Sequence, residues 1–293
     1  MPGKITILVI VFVLLGCDNV PERASVSFCE SDAQSAILSM VQAHGGAAAW
    51  RKLKSIHVER EHLFAGTDQP IRFNIHGEYP SHRIFQEWSA PAGTLAWDGE
   101  RGWSSGWPLA DRLMPRYVAG IGFYLVNMPW LVRQDASNVE SKGCSGKLPG
   151  HGEKEFLLVV AEYEADPVRK PAWYEGTRDS YELYIDPDTH RLSGVMQHWT
   201  YAGRLDTAEL PLSVEAISQL FVPESYVEVN GLVWPEEYSA YTPEGEVAAV
   251  GRFFDYDFSR PFPAQRLFAD DKALVKPDAS SSYLRSGSLD NSE

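Results

Sequence analysis

The run Gly102-Trp103-Ser104-Ser105-Gly106 fits G-x-S-x-G, the spacing at which a serine hydrolase presents its nucleophile. That chemistry needs a buried strand ending in a strained turn and a helix starting behind the serine, so that the hydroxyl stands beside backbone N–H donors. Ser104 lacks that frame. Turn residues Asp98-Gly99-Glu100-Arg101 precede it and Trp107-Pro108 follows, which puts it inside a hairpin strand. Asp186 and His190 stand in triad order but share one tight turn. The histidines build no better site. His57 and His62 are five apart, which on a strand sends them to opposite faces. His-Glu-x-x-His does not occur, and His76 and His82 flank a turn at Tyr79-Pro80-Ser81. His44, on an apolar helical face beside two glycines, reads as a core or capping residue. The sequence thus predicts no catalytic residue, no metal and no cofactor, and leaves a hydrolase using Ser104 as the least favoured reading.

The elements that would position these groups are mostly strands. Ser31-Asp32-Ala33-Gln34 reads as a capping box, and Ala33, Ala36, Ile37, Met40, Val41 and His44 then recur at helical spacing until Gly45-Gly46 stops the pattern. A short helical piece at 47–53 brings Trp50 and Leu53 to the same core. After that the period falls to two. Strands are expected over 55–64, 71–78, 83–89, 94–97, 102–107, 153–163, 181–185, 192–201, 226–229, 232–242 and 246–258. Asp186-Pro187-Asp188 and Asn230-Gly231 supply hairpin turns, so the chain reads as a long antiparallel meander. The apolar stretch 109–132, with Gly120, Gly122 and Pro129, predicts one or two bent helices packed across the sheet. The segment 204–220 has room for another helix, and 271–293, with six Ser in its last fourteen residues, reads as a disordered tail.

Composition narrows the partners. The 293 residues carry 26 Lys and Arg against 40 Asp and Glu, a formal net charge of −14, without a basic run, so nucleic acid is excluded as a partner. The N-terminus has one early charge, Lys4, and an apolar run from Ile5 to Leu15, too short to span a bilayer and matching the h-region of a secretory signal. Export would place Cys29 and Cys144 in an oxidising compartment, where the pair can persist as a disulfide.

Leu14-Leu15-Gly16-Cys17 closely resembles a bacterial lipobox. The resemblance implies that residues 1–16 are removed as a signal peptide and that Cys17 becomes a lipidated, diacylglyceryl- and palmitate-type N-terminus, with 17–30 a tether to the membrane. Two or three acyl chains would anchor the protein stably. Asp18, directly after the cysteine, resembles an inner-membrane sorting signal, which favours the periplasmic side of the inner membrane over the outer membrane. His44-Gly45-Gly46, Trp50 and Leu53-Lys54-Ser55-Ile56 further resemble a group of uncharacterised bacterial lipoproteins. So do Trp97-Asp98-Gly99-Glu100-Arg101-Gly102-Trp103, Tyr184-Ile185-Asp186-Pro187-Asp188-Thr189-His190-Arg191-Leu192 and Gly231-Leu232-Val233-Trp234-Pro235, in that order over residues 35 to 260. That group is similar to the LolA/LppX-like carriers of lipoproteins and lipids. The resemblance implies a mainly β (α+β) domain over 31–270, a curved, incompletely closed antiparallel β half-barrel with helices on its concave face.

A carrier of that kind would bind a lipid, an acylated protein or another apolar ligand. Apolar patterning names Leu113, Tyr117, Ile121, Phe123, Tyr124 and Trp130 on the helical side of such a cavity, with Phe73, Phe85 and Trp97 opposite. The competing expectation is an envelope assembly or interaction protein whose half-barrel is filled by its own side chains.

Overall fold

In the computed structural model, residues 27–90, 92–98, 102–105, 115–163, 179–198 and 219–267 are described. The period-two runs near the N-terminus form β1 (Ser55–Phe64), β2 (Ile71–Glu78), β3 (Ile84–Ala90), β4 (Ala92–Trp97) and β5 (Gly102–Ser105). A single long helix, α3 (Pro115–Asp135), follows, and the later strands are β6 (Asn138–Gly146), β7 (Phe156–Tyr163), β8 (Asp179–Ile185), β9 (Leu192–His198) and β10 (Leu220–Pro223). A two-stranded ribbon of β11 (Tyr226–Val229) and β12 (Leu232–Pro235) precedes β13 (Glu237–Tyr241) and β14 (Val247–Asp257).

Twelve strands form one open sheet in the order β5-β4-β3-β2-β1-β14-β13-β10-β9-β8-β7-β6, antiparallel throughout. The sheet is therefore two meanders rather than one, joined where β1 pairs with β14. Its two edge strands, β5 and β6, are neighbours in sequence through α3. α3 packs on β2 to β5 at one end of the sheet, α1 (Ala33–Ala43) packs on the far edge strand β6, and the two helices pack on each other. A sheet whose opposite ends meet one pair of packed helices curls around them.

The helices pack on the inside of that curl. α1 (Ala33–Ala43) buries Ala33, Ala36, Ile37, Met40 and Val41, the face its spacing predicted. Its cap differs from the expected box: Asp32, not Ser31, is the N-cap, accepting from the Ser35 backbone N–H at 3.0 Å and from the Ser35 hydroxyl. The helix starts one residue later than the box requires, so a carboxylate stands at the positive end of the helix. Gly45 and Gly46 end it with positive φ, and α2 (Ala47–Trp50) carries Trp50 into the core. α1 packs on β6 and α3, and α3 packs on β2 to β5. Cys29 and Cys144 are joined in a disulfide, with Cα atoms 5.0 Å apart, so the start of the domain is stapled to β6. Phe28, beside it, stacks on His190 at 4.1 Å. The last residues of the expected tether, Phe28–Glu30, form a short 3-10 helix in the fold. The expected tail and the helix expected at 204–220 fall largely outside the described residues, although the last residue of that segment already belongs to β10.

Candidate functional site

Period-two alternation divides the sheet into a concave face against the helices and a convex face. Ile56 and Val58 of β1, Phe73 and Ile75 of β2, Ile84 of β3 and Trp97 of β4 share one core with Phe123, Val126 and Trp130 of α3. Most of the expected cavity residues therefore meet: Phe73, Trp97, Phe123 and Trp130 are buried in this core and Tyr124 packs against it. Phe85 does not. The β2–β3 register pairs Phe73 with Trp88 and His76 with Phe85. Phe85 thus falls on the convex face, where it packs with Ala96 and Leu267. Apolar character alone could not give its phase, which the turn at 79–83 fixes. Tyr117 and Ile121 fall on the first turns of α3, and Leu113 lies outside the described residues.

The helix–sheet contact is organised by Asn127. Trp50 Nε1 donates to its side-chain oxygen at 3.2 Å, the Tyr79 hydroxyl donates to the same oxygen, and its own amide donates to the Phe123 carbonyl at 2.8 Å. Trp130 stacks on Trp50 and meets Trp234 with centroids 4.7 Å apart. His44 pins the end of α1. Its Nε2 accepts from the Leu192 N–H at 3.1 Å, so its Nδ1 carries the proton and donates to the Val233 carbonyl at 2.8 Å. Burial, with Arg191 adding to it, brings the His44 pKa down to about 4 despite the Val233 bond.

Sequence reasoning missed the most unusual group on the concave face. Arg60 shares the inward phase of Ile56 and Val58 and is only 8% exposed. Its guanidinium carbon lies 5.4, 5.1 and 5.3 Å from the ring centroids of Phe73, Tyr238 and Phe253, within cation–π range of all three. Its Nε donates to the Tyr238 hydroxyl at 2.7 Å, and that hydroxyl donates in turn to His62 Nδ1 at 2.7 Å. Nη2 reaches the same His62 nitrogen at 3.3 Å. Burial, and then the charge of Arg60, hold the His62 pKa well below the ordinary histidine value. Gly251 makes the arrangement possible, since a Cβ there would lie 2.5 Å from both the Tyr238 hydroxyl and the Glu61 carbonyl. The phenol crosses β14 to reach β1 only because that Cβ is absent.

The acids of β1 point the other way. Glu59 and Glu61 alternate with Arg60 onto the convex face, where Glu61 binds Arg72 at 2.8 Å and Arg252 at 3.6 Å. Among the described residues Arg60 has no carboxylate partner. Two buried donors on this side, Trp130 Nε1 and Gln197 Nε2, have no acceptor among the described residues. Gln197 pairs with Tyr181, a core residue, which sets it on the concave face.

Ser104 lies within β5, paired with Leu95 of β4. It thus sits inside a paired strand, not at the strand-to-helix turn that a hydrolase nucleophile occupies. On the convex face His57 and His76 are hydrogen-bonded through their Nδ1 atoms, His76 faces Glu87 at 3.3 Å, and Glu87 binds Arg266 at 2.7 Å.

The sequence matches no protein-family model and no curated protein. The structure is similar to a LolA superfamily protein from Nitrosomonas europaea, with 12% identity over 82% of this chain and 99% of that one and a TM-score of 0.50. It is more distantly similar to a DUF1329 family protein from Desulfovibrio piger (8% identity, 82% and 97% covered, TM-score 0.44). The lipoprotein LppX from Mycobacterium tuberculosis is also similar (11% identity, 57% and 89% covered, TM-score 0.25). The chain has a LolA-like fold, an open antiparallel half-barrel around helices.

Proposed function

We propose that the protein is a lipid-anchored component of the bacterial envelope, held through Cys17 on the periplasmic side of the inner membrane as Asp18 favours. There it binds a lipid, an acylated protein or another apolar ligand without chemistry. The observation that carries this reading is the way α3 covers β2 to β5 on a LolA-like half-barrel. The face between them is apolar and aromatic, and the covering helix contains Gly120, Gly122 and Pro129, residues that weaken a helix and let it shift. An apolar ligand gains most from a concave surface of that kind. Fixed anchoring suits an acceptor, donor or sensor better than a shuttle.

The second reading, an envelope interaction protein with a filled core, draws on the complete burial of Phe123, Trp234, Phe253 and Ile75. Native mass spectrometry of the form beginning after Cys17, purified without detergent and followed by organic extraction, separates the two. A stoichiometric acyl species is the expected result. A bare mass that stays unchanged after exposure to envelope lipids would overturn the carrier reading in favour of a protein partner.

A further inference from the structure

We infer that Arg60, oriented by Tyr238 and His62 at the centre of the concave face, is the receptor for an anionic group, a carboxylate or a phosphate, at the polar end of the apolar ligand. The inference deepens the binding reading above and rests on it.

Three observations converge. First, a buried guanidinium keeps its charge at every physiological pH, and its desolvation is only partly offset by aromatic faces and neutral hydrogen bonds. Proteins that bury such a charge for stability alone ordinarily pair it with an acid. Here the two acids of the same strand, Glu59 and Glu61, are turned to the opposite face, where Glu61 is engaged by both Arg72 and Arg252. Second, Arg60 is aimed. Tyr238 accepts at Nε and His62 at Nη2, which fixes the plane of the fork and leaves Nη1 directed at α3. A Cβ at Gly122 would stand 3.6 Å from Nη1, so the covering helix passes directly over it. A ligand admitted beneath α3 meets this end of the guanidinium first. Third, two buried side-chain nitrogens of the concave side have no hydrogen-bond partner among the described residues. Trp130 Nε1 and Gln197 Nε2 are N–H donors, which only acceptors would satisfy. An acyl chain ending in an oxyanion supplies both an apolar body for the concave face and an acceptor for Arg60, and the guanidinium fork suits carboxylate and phosphate alike.

The test uses the full chain held in amphipol and equilibrium binding of two matched probe pairs, palmitate with methyl palmitate and palmitoyl lysophosphatidic acid with monopalmitoylglycerol. The expected result is that the anionic member of at least one pair binds roughly tenfold more tightly than its neutral twin. Arg60→Gln erases that preference and leaves the neutral probe unchanged, and Arg60→Lys restores part of it. Preference confined to the second pair assigns a phosphate head, preference confined to the first a fatty carboxylate, and preference in both a general terminal oxyanion. Equal binding of both members by the unsubstituted protein, or an equal loss of all four probes in Arg60→Gln, overturns the inference and leaves the carrier reading standing. Binding of none of the four overturns both. The comparison within the unsubstituted protein decides the matter even where a variant fails to fold.

Discussion

Strand β1 carries a polar cluster on each of its faces, and the two are built on opposite principles. On the convex side His57 bonds His76, His76 faces Glu87, Glu87 holds Arg266, and the Arg260 carbonyl accepts from Ser55 at 2.6 Å and bonds His57 at 3.0 Å. Every charge there has an opposite, and the cluster ties the segment after β14 back onto the sheet. On the concave side Arg60 has aromatic rings and neutral partners but no acid among the described residues. A balanced cluster explains itself as a staple. An unbalanced one, preorganised by a tyrosine that must cross a glycine to reach it, has the character of a receptor.

Acid separates the two faces with the largest effect. Burial lowers the pKa of His44, His57, His62 and His76 from the ordinary 6.5, to about 4 for His44 and His76. Below pH 6.5 the unfolded chain takes up protons that the folded protein refuses, so stability is full above that pH and is lost as pH falls toward 4. His44 alone accounts for roughly 3 kcal/mol of that loss. His62 and His76 differ in one respect. Glu87 pulls the His76 pKa upward against burial and His57, whereas Arg60 reinforces burial at His62. Urea midpoints between pH 7.5 and 4.5 should therefore flatten more in His62→Gln than in His76→Gln. The reverse order would mean that the concave cluster contains an acid after all.

Gly251→Ala is the next largest. Its new methyl collides with the Tyr238 hydroxyl and the Glu61 carbonyl, and displacing the phenol breaks its bonds to Arg60 and His62 together, at a cost of about 2–3 kcal/mol in chemical denaturation. The convex histidines should keep their NMR signals. Loss of those signals as well would show that the two faces respond as one unit.

How much of this contrast could be read from residues alone depended on distance along the chain. The bounds of β1 and β2 follow from their alternation, and His57 and His62 do take opposite faces as their spacing requires. β6 was not legible because it is an edge strand with polar residues on both faces, so no alternation marks it. The run 232–242 is two strands, because β12 pairs with β11 in a separate ribbon before β13 joins the main sheet at residue 237. Arg60 did leave a signal: it and His62 occupy the phase of Ile56 and Val58, which a solvated arginine would avoid. Its partner Tyr238 lies 178 positions away, and no local pattern reaches that far. The carrier-like half-barrel came from resemblance, whereas the charge imbalance within it emerged only from the register of β1, β13 and β14.

The smallest effect belongs to the convex staple. Burial works to raise the Glu87 pKa, and the contacts with Arg266 and His76 overcome it, so the carboxylate is held below its usual range. Glu87→Gln removes the charge that both neighbours use. The side chain is 34% exposed, so solvent already screens the pair and the loss should be about 1 kcal/mol or less. The local consequence is sharper than the global one. The turn Ala264–Leu267 rests on Phe85 and Ala96 through Leu267 and is additionally tied by Arg266. Backbone amides of that turn should exchange faster, by severalfold, while the four acyl probes bind as before. A change in anion preference in this variant would couple the faces through β1 and break the distinction between staple and receptor.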